Sequence, residues 1–466
     1  MPSPGGNGAN PLIPLAALLV GAGVILGFAL AEEPGLVVPV TLFFLLLLGL
    51  THVLLTLETR EATRRWLWGL IGAALGVRAL AFLVTNFVYR ADFFAPDVGY
   101  YRWAGEAIGA HWVRGGPLPG RFADGWFELY PHIGAGFYAL LQDATVGPVV
   151  LNAFAGVWTA VVVYYLGREI LGEPAGKLAA ILTAFLPSLV LWSVLNIRDA
   201  LAMLFITLAV WLGVRAYREV NVKELLLLVA VLFVASTLRD YMAVLVLGGL
   251  ALGFALAFRR HRVWSTLAVG TVVFLGVAFA LDQFEIFRTV DWDSPLETAD
   301  QMRRGFHLEA GSAYAVDYDT STLAGALRFL PLGMSFLLFG PFPWALESTL
   351  QMLTFPEVAL WYLVFPLTVW GLSWGVRKGA AQNLILLGVL AVLVSSYALV
   401  EGNFGTAYRH RAQIMPLFFI FTAAGLILLR HRWGARKRPE RQRVHTRSEG
   451  STSPSDSTWP SGSASR

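Results

Sequence analysis

The residues best placed to do chemistry in this chain of 466 residues are two aspartates and several arginines at the edges of apolar runs. The segment Ala91 to Trp112 (ADFFAPDVGYYRWAGEAIGAHW) puts Asp92 and Asp97 just past the end of such a run. A carboxylate at that junction lies where the dielectric is low and lipid headgroups gather, so it can act as general base toward a sugar or amine acceptor. The same aspartate also suits a plainer role, capping the helix that follows Pro96-Asp97. Basic residues recur at similar edges: Arg198-Asp199, Arg239-Asp240 and Tyr408-Arg409-His410-Arg411 each open an apolar run. A guanidinium there is costly without a partner. The partner is either an adjacent aspartate, with the side-chain stem snorkelling, or the phosphate of an amphiphile, which Arg binds through paired hydrogen bonds. Such sites opening toward one face favour an anion-binding pocket over separate ion pairs.

The elements that must hold these residues are membrane-spanning helices. Apolar and aromatic residues make up 56% of the chain before its 46 glycines are counted, and charged residues only 14%, against about 25% in soluble domains. Too few ions remain to cover a water-facing globule, so much of the surface must face lipid. The absence of Cys excludes disulfides, thiolate metal ligands and cysteine nucleophiles. A net charge of +4 raises the question of nucleic acid. The basic residues, however, cluster beside apolar runs and in the C-terminal tail, where membrane orientation accounts for them, so no nucleic-acid partner is expected.

A crossing helix needs about 20 mostly apolar residues. Candidate spans are 11–30, 36–57, 66–88, 148–166, 176–194, 197–215, 222–237, 241–258, 263–281, 357–375, 382–400 and 412–430. The expected fold class is therefore all-α, a polytopic integral membrane protein of about 12 transmembrane helices. Arg60, Arg64 and Arg65, then Arg168 and Lys177, Arg215, Arg218 and Lys223, Arg259 to Arg262, Arg377 and Lys378, and the tail from Arg430 fall on one side. The positive-inside rule makes that side cytoplasmic, with both termini inside a plasma membrane. Two long outer loops follow, 89–147 and 282–356, within a transmembrane domain of residues 1–432. Residues 433–466, Arg-rich and then Ser-rich, are expected to be a disordered cytoplasmic tail. The stretch 324–345 reads as an interfacial or re-entrant element broken by Pro331, Pro341 and Pro343.

In the first loop, Tyr101, Ala104, Ile108 and Trp112 recur at spacings of three and four. That pattern predicts an amphipathic helix lying on the outer surface. An acidic residue, two positions, paired aromatics and such a helix, directly after an early span, resemble the first outer loop of the GT-C glycosyltransferases that use polyprenyl-phosphate sugars. That group includes the protein mannosyltransferase (glycosyltransferase family 39) and aminoarabinose transferase families. Their Asp-Glu-x-x-Tyr motif reads Asp97-Val98-Gly99-Tyr100-Tyr101 here, so the second carboxylate is absent. Tyr130-Pro131-His132 is similar to their Tyr-Pro-Pro step. Leu166 to Gly172, Phe185-Leu186-Pro187 and Trp192-Ser193 are similar to their next two spans and connecting loop.

The resemblance implies a GT-C-like fold and an enzyme that takes a sugar from a polyprenyl-phosphate donor, on the outer face, for a glycan, lipid or protein acceptor. It makes Asp97 the expected catalytic base, with Asp92 the competing candidate. Arg198, Arg239, Arg409 and Arg411 are the expected phosphate ligands, and Tyr101, Tyr130 and His132 the expected cleft lining. No cofactor or metal is expected, because the carrier phosphate is already an activated leaving group. A surface-polysaccharide polymerase or ligase shares these features. A transporter or flippase for an anionic lipid or solute is the remaining alternative, for which Arg78 and Arg328 are the candidate mid-membrane charges.

Overall fold

The computed structural model describes residues 34–85, 91–125, 127–219, 221–257, 294–308 and 318–448. Among them the regular elements are helical and no strand is present: α1 (Val37–Thr56), α2 (Glu61–Leu83), α3 (Ala91–Phe94), α4 (Asp97–Arg114), α5 (Leu129–Leu141), α6 (Val146–Leu171), α7 (Glu173–Phe185), α8 (Pro187–Trp192), α9 (Asp199–Arg218), α10 (Val222–Leu238), α11 (Met242–Leu256), α12 (Pro295–Leu308), α13 (Leu323–Phe339), α14 (Thr349–Arg377), α15 (Ala381–Val400) and α16 (Phe404–Ser448). This is the all-α, polytopic membrane architecture that the apolar runs predict. Among the described residues, 7 helices are long and apolar enough to cross a bilayer: α1, α2, α6, α9, α14, α15 and the Phe404–Trp433 part of α16. The expected spans 11–30 and 263–281 lie outside the described residues.

The expected span 176–194 is two helices rather than one. Pro187 opens α8, and Leu186 ahead of it is extended (φ −61°, ψ 127°), as the residue before proline prefers. A break in lipid leaves backbone groups that must be satisfied by protein. Arg78 Nη1 donates to Ala184 O at 3.0 Å and Arg78 Nε to Ser193 Oγ at 2.9 Å, while Ser188 N donates to Glu357 Oε2 at 2.6 Å. Arg78 is thus a buried cap for the broken helix.

Proline acts in the opposite way in the 324–345 stretch. The expected break at Pro331 does not occur, since α13 runs continuously through it over 17 residues. One lost i→i−4 hydrogen bond is tolerated because α13 packs on α15 and α16. At 1.5 Å per residue its length is about 25 Å, short of a hydrocarbon core of about 30 Å. At the C-terminus the backbone stays helical to Ser448, past residue 433 where disorder is expected, and residues 449–466 lie outside the described residues.

Helices α7, α9, α10, α11, α15 and α16 share one apolar core, and α1, α2 and α6 form a second. Small residues set the closest approach between helices in lipid, where packing replaces the hydrophobic drive. A Cβ on Gly388 of α15 would sit 2.3 Å from Gly253 N of α11. Gly388→Leu should therefore destabilise the bundle by about 1–3 kcal/mol. Gly136→Leu, which meets nothing within 4 Å, should not lower stability. Thermal unfolding of the detergent-solubilised variants compares the two.

Candidate active site

The residues that converge come from helix ends. Asp97 is the first residue of α4, Arg239 joins α10 to α11, and Arg409 lies near the start of α16, whose first turn is capped by Asn403 Oδ1 accepting from Thr406 N at 2.8 Å. Arg198 and Asp199 follow the irregular turn after α8. That turn is pinned from α6: Asn152 Nδ2 lies 2.8 Å from Leu195 O, from Ile197 O and from the Tyr130 hydroxyl. Tyr130 in turn donates to Asn196 Oδ1 at 3.0 Å, and Asn196 Nδ2 reaches Ala144 O at 3.1 Å. These bonds fix where α9 begins, and so where Arg198 and Asp199 point.

Asp199 is the centre of the cluster, with only 2% of its surface exposed. Its Oδ1 accepts from Arg239 Nη2 at 3.0 Å and Gln413 Nε2 at 2.8 Å. Its Oδ2 accepts from Arg409 Nη2 at 2.6 Å and Arg409 Nε at 3.2 Å. Arg409 Nη1 then donates to Asp97 Oδ2 at 2.8 Å, and the Asp97 side chain is 47% exposed. Asp97, Arg239 and Arg409 of this cluster border a cavity of about 460 Å³, which Arg198 and His410 also line, with Trp192, Leu191, Leu350, Phe404 and Pro341 supplying apolar wall. Arg198 donates Nη1 to Leu238 O at 2.9 Å.

Four of the residues singled out from the sequence, Asp97, Arg198, Arg239 and Arg409, are therefore brought together. The others are not. Asp92 is exposed on α3 and does not border the cavity. Tyr101 is buried beneath the Arg198 guanidinium, 5.9 Å from its ring centroid, and burial pushes its phenol up to about 12. Tyr130 belongs to the turn-pinning network. His132 lies among aromatic rings, 4.4 Å from Phe127 and 6.0 Å from Trp112, with Nδ1 2.6 Å from Glu128 O. Arg411 donates Nη1 to Leu338 O at 3.1 Å and Gly340 O at 2.7 Å, capping α13. Residues two apart on a helix do not share a face, which separates Arg411 from Arg409, whereas Gln413, four residues on, returns to it.

Sequence reasoning missed Asp199 as the hub, together with Gln413, His410 and Glu401. The Arg198-Asp199 pair at the start of a span and the i, i+4 pair Arg409 and Gln413 were the available signals.

A family model described as dolichyl-phosphate-mannose-protein mannosyltransferase matches residues 129–282. That stretch holds Arg198, Asp199 and Arg239 but neither Asp97 nor Arg409. The match bears out the resemblance to GT-C glycosyltransferases that use polyprenyl-phosphate sugars. Similar solved structures include the Archaeoglobus fulgidus oligosaccharyltransferase in the apo form, at 14% identity and a TM-score of 0.47, covering 80% of this chain and 52% of that one. Another is the archaeal oligosaccharyltransferase AglB from Archaeoglobus fulgidus in complex with an inhibitory peptide and a dolichol-phosphate, at 15% identity and a TM-score of 0.47, covering 82% and 52%. The chain thus spans about half the length of these structures. No curated protein matches.

Removing the buried counter-charge is expected to be more damaging than removing an exposed one. Asp199→Asn should cost about 3 kcal/mol or more of stability, because two guanidiniums lose their common partner. Asp92→Asn should stay within about 0.5 kcal/mol. Denaturation midpoints of the two purified variants test the assignment of Asp199 as the hub.

Proposed function

We propose that the chain transfers a sugar from a polyprenyl-phosphate donor to a hydroxyl or amine of a glycan, lipid or protein acceptor, by a single inverting displacement on the outer face of the membrane. The observation that carries this reading is the meeting of one half-exposed carboxylate with Arg198, Arg239 and Arg409 in a cavity that also has apolar wall. Such a lining suits an amphiphile with an anionic head. The matched family's description, which names a polyprenyl-phosphate sugar, supports the donor class.

In this scheme the donor phosphate engages the three guanidiniums and takes Arg409 Nη1 from Asp97. The released carboxylate accepts the proton of the acceptor hydroxyl. The acceptor oxygen forms its bond to the anomeric carbon on the face opposite the phosphate, and the carbon–oxygen bond to the phosphate breaks with its electron pair leaving on the phosphate. The guanidiniums meet the second negative charge that develops there, which stabilises the transition state more than the ground state. The scheme calls on no nucleotide and no metal. The outward orientation follows from the sign pattern of the loops, with both termini cytoplasmic.

The transporter alternative gains nothing from its two candidate charges: Arg78 is engaged with backbone carbonyls and Ser193, and Arg328 is exposed. Asp97→Asn should lower sugar transfer by about 10²–10⁴-fold while leaving the protein folded and able to bind donor. A panel of radiolabelled polyprenyl-phosphate sugars offered to membranes containing each form measures this, and wild-type turnover by the variant removes Asp97 from the mechanism.

A further inference from the structure

At Arg239 Nη1, the nitrogen that Asp199 does not hold, lies a buried acid–imidazole pair that the scheme above does not use. His410 is 3% exposed and Glu401 is 0% exposed. His410 Nε2 lies 3.0 Å from Arg239 Nη1, and His410 Nδ1 is hydrogen-bonded to Glu401 Oε1. A guanidinium carries donors only and keeps its proton in proteins. The contact with Arg239 therefore requires Nε2 to be the bare, accepting nitrogen. The ring proton is then on Nδ1, where Glu401 receives it.

The surroundings hold this arrangement in one orientation. Tyr397 stacks on the imidazole with centroids 4.6 Å apart and planes 15° from parallel. The Tyr397 hydroxyl donates to Gln413 Oε1 at 2.9 Å, and Gln413 Nε2 reaches Asp199 at 2.8 Å. The second carboxylate oxygen of Glu401 accepts from the Thr406 hydroxyl. Tyr241 adds its hydroxyl to Arg239 Nη1 at 2.9 Å. Arg239 is thus gripped by His410 and Tyr241 on one side and by Asp199 on the other, which leaves its guanidinium a single pose at the cavity wall.

We infer that Glu401 and His410 form a positioning dyad: Glu401 selects the imidazole tautomer, and His410 uses it to orient Arg239 toward a bound phosphate. This rests on reading the cavity as the phosphate site. The alternative is a buried pair that only holds α15 against α16.

Farnesyl phosphate, titrated calorimetrically into the detergent-solubilised full chain, separates the possibilities. His410→Leu should weaken binding about tenfold, the loss of one hydrogen bond to a charged group. His410→Gln, which restores an accepting oxygen, should recover most of that loss. Glu401→Gln, which keeps the shape but removes the charge that fixes the tautomer, should weaken binding severalfold. The double variant His410→Leu/Arg239→Ala should be no weaker than Arg239→Ala alone, because the dyad acts only through Arg239. Additive losses, no recovery in His410→Gln, or unchanged affinity in Glu401→Gln each overturn the dyad. Unchanged affinity in Arg409→Ala overturns the phosphate site itself. Loss of binding in Arg409→Ala with wild-type affinity in His410→Leu and Glu401→Gln leaves that site standing and removes the dyad alone.

Discussion

The site depends on a buried carboxylate that cannot stay ionised without cations around it. An isolated charge taken out of water into a low-dielectric interior is too costly to persist, so Asp199 demands that Arg239 and Arg409 reach it from two other helix ends. Those reaches draw the start of α9, the α10–α11 junction and the start of α16 to one point, and Arg409 carries the cluster on to Asp97 at the start of α4. Both oxygens of Asp199 are engaged, whereas Asp97 offers one oxygen to Arg409 and is half exposed. At the cavity edge Asp199 holds both Arg239 and Arg409, and Arg409 reaches on to Asp97. On the proposed reading a phosphate takes a guanidinium N–H from a carboxylate, and Asp97 is the carboxylate held by a single such bond. That asymmetry argues for Asp97 as the base and Asp199 as the anchor.

The second constraint is that irregular backbone within a lipid-facing bundle must find its partners in protein. The α7–α8 break and the turn before α9 are what bring Trp192 and Arg198 to the cavity and Asp199 behind them, and each is satisfied by a polar side chain from a neighbouring helix. Arg78 takes the freed carbonyl, Glu357 takes the Ser188 amide, and Asn152 takes the Leu195 and Ile197 carbonyls. Arg78, Glu357 and Asn152 thus support the backbone that carries the site.

The spans were legible because length and apolarity are local properties. Every expected span within the described residues coincides with helix, including the one that proves broken. What was not legible depends on direction. Arg409 and Arg411 look equivalent as letters, yet a two-residue step turns Arg411 away to cap α13. Tyr130 and His132 flank the same proline and go to different networks. Arg78 stood out as a mid-span charge, but nothing in its neighbourhood along the chain announces that its partner is the carbonyl of Ala184, 106 positions away. The Arg409–Asp97 contact closes over 312 positions, a distance at which pattern and periodicity carry no information. The paired Arg-Asp dipeptides were visible as partners, and the fold shows that Asp199 pairs with Arg239 and Arg409.

The location of the cavity follows from the same physics that makes the spans readable. Along the body of a helix in lipid the backbone satisfies itself, and polar side chains are penalised; only at helix ends do freed backbone groups and charged side chains find a reason to gather. The cavity lies where the starts of α4, α9, α11 and α16 meet, and its ionic lining comes from those starts while its apolar wall comes from α8, α14 and the segment after α13. That composition is what the proposed donor requires, a molecule whose head is ionic and whose remainder belongs in the bilayer. On the proposed reading, the junctions that end the bundle's helices supply the charges that hold such a ligand.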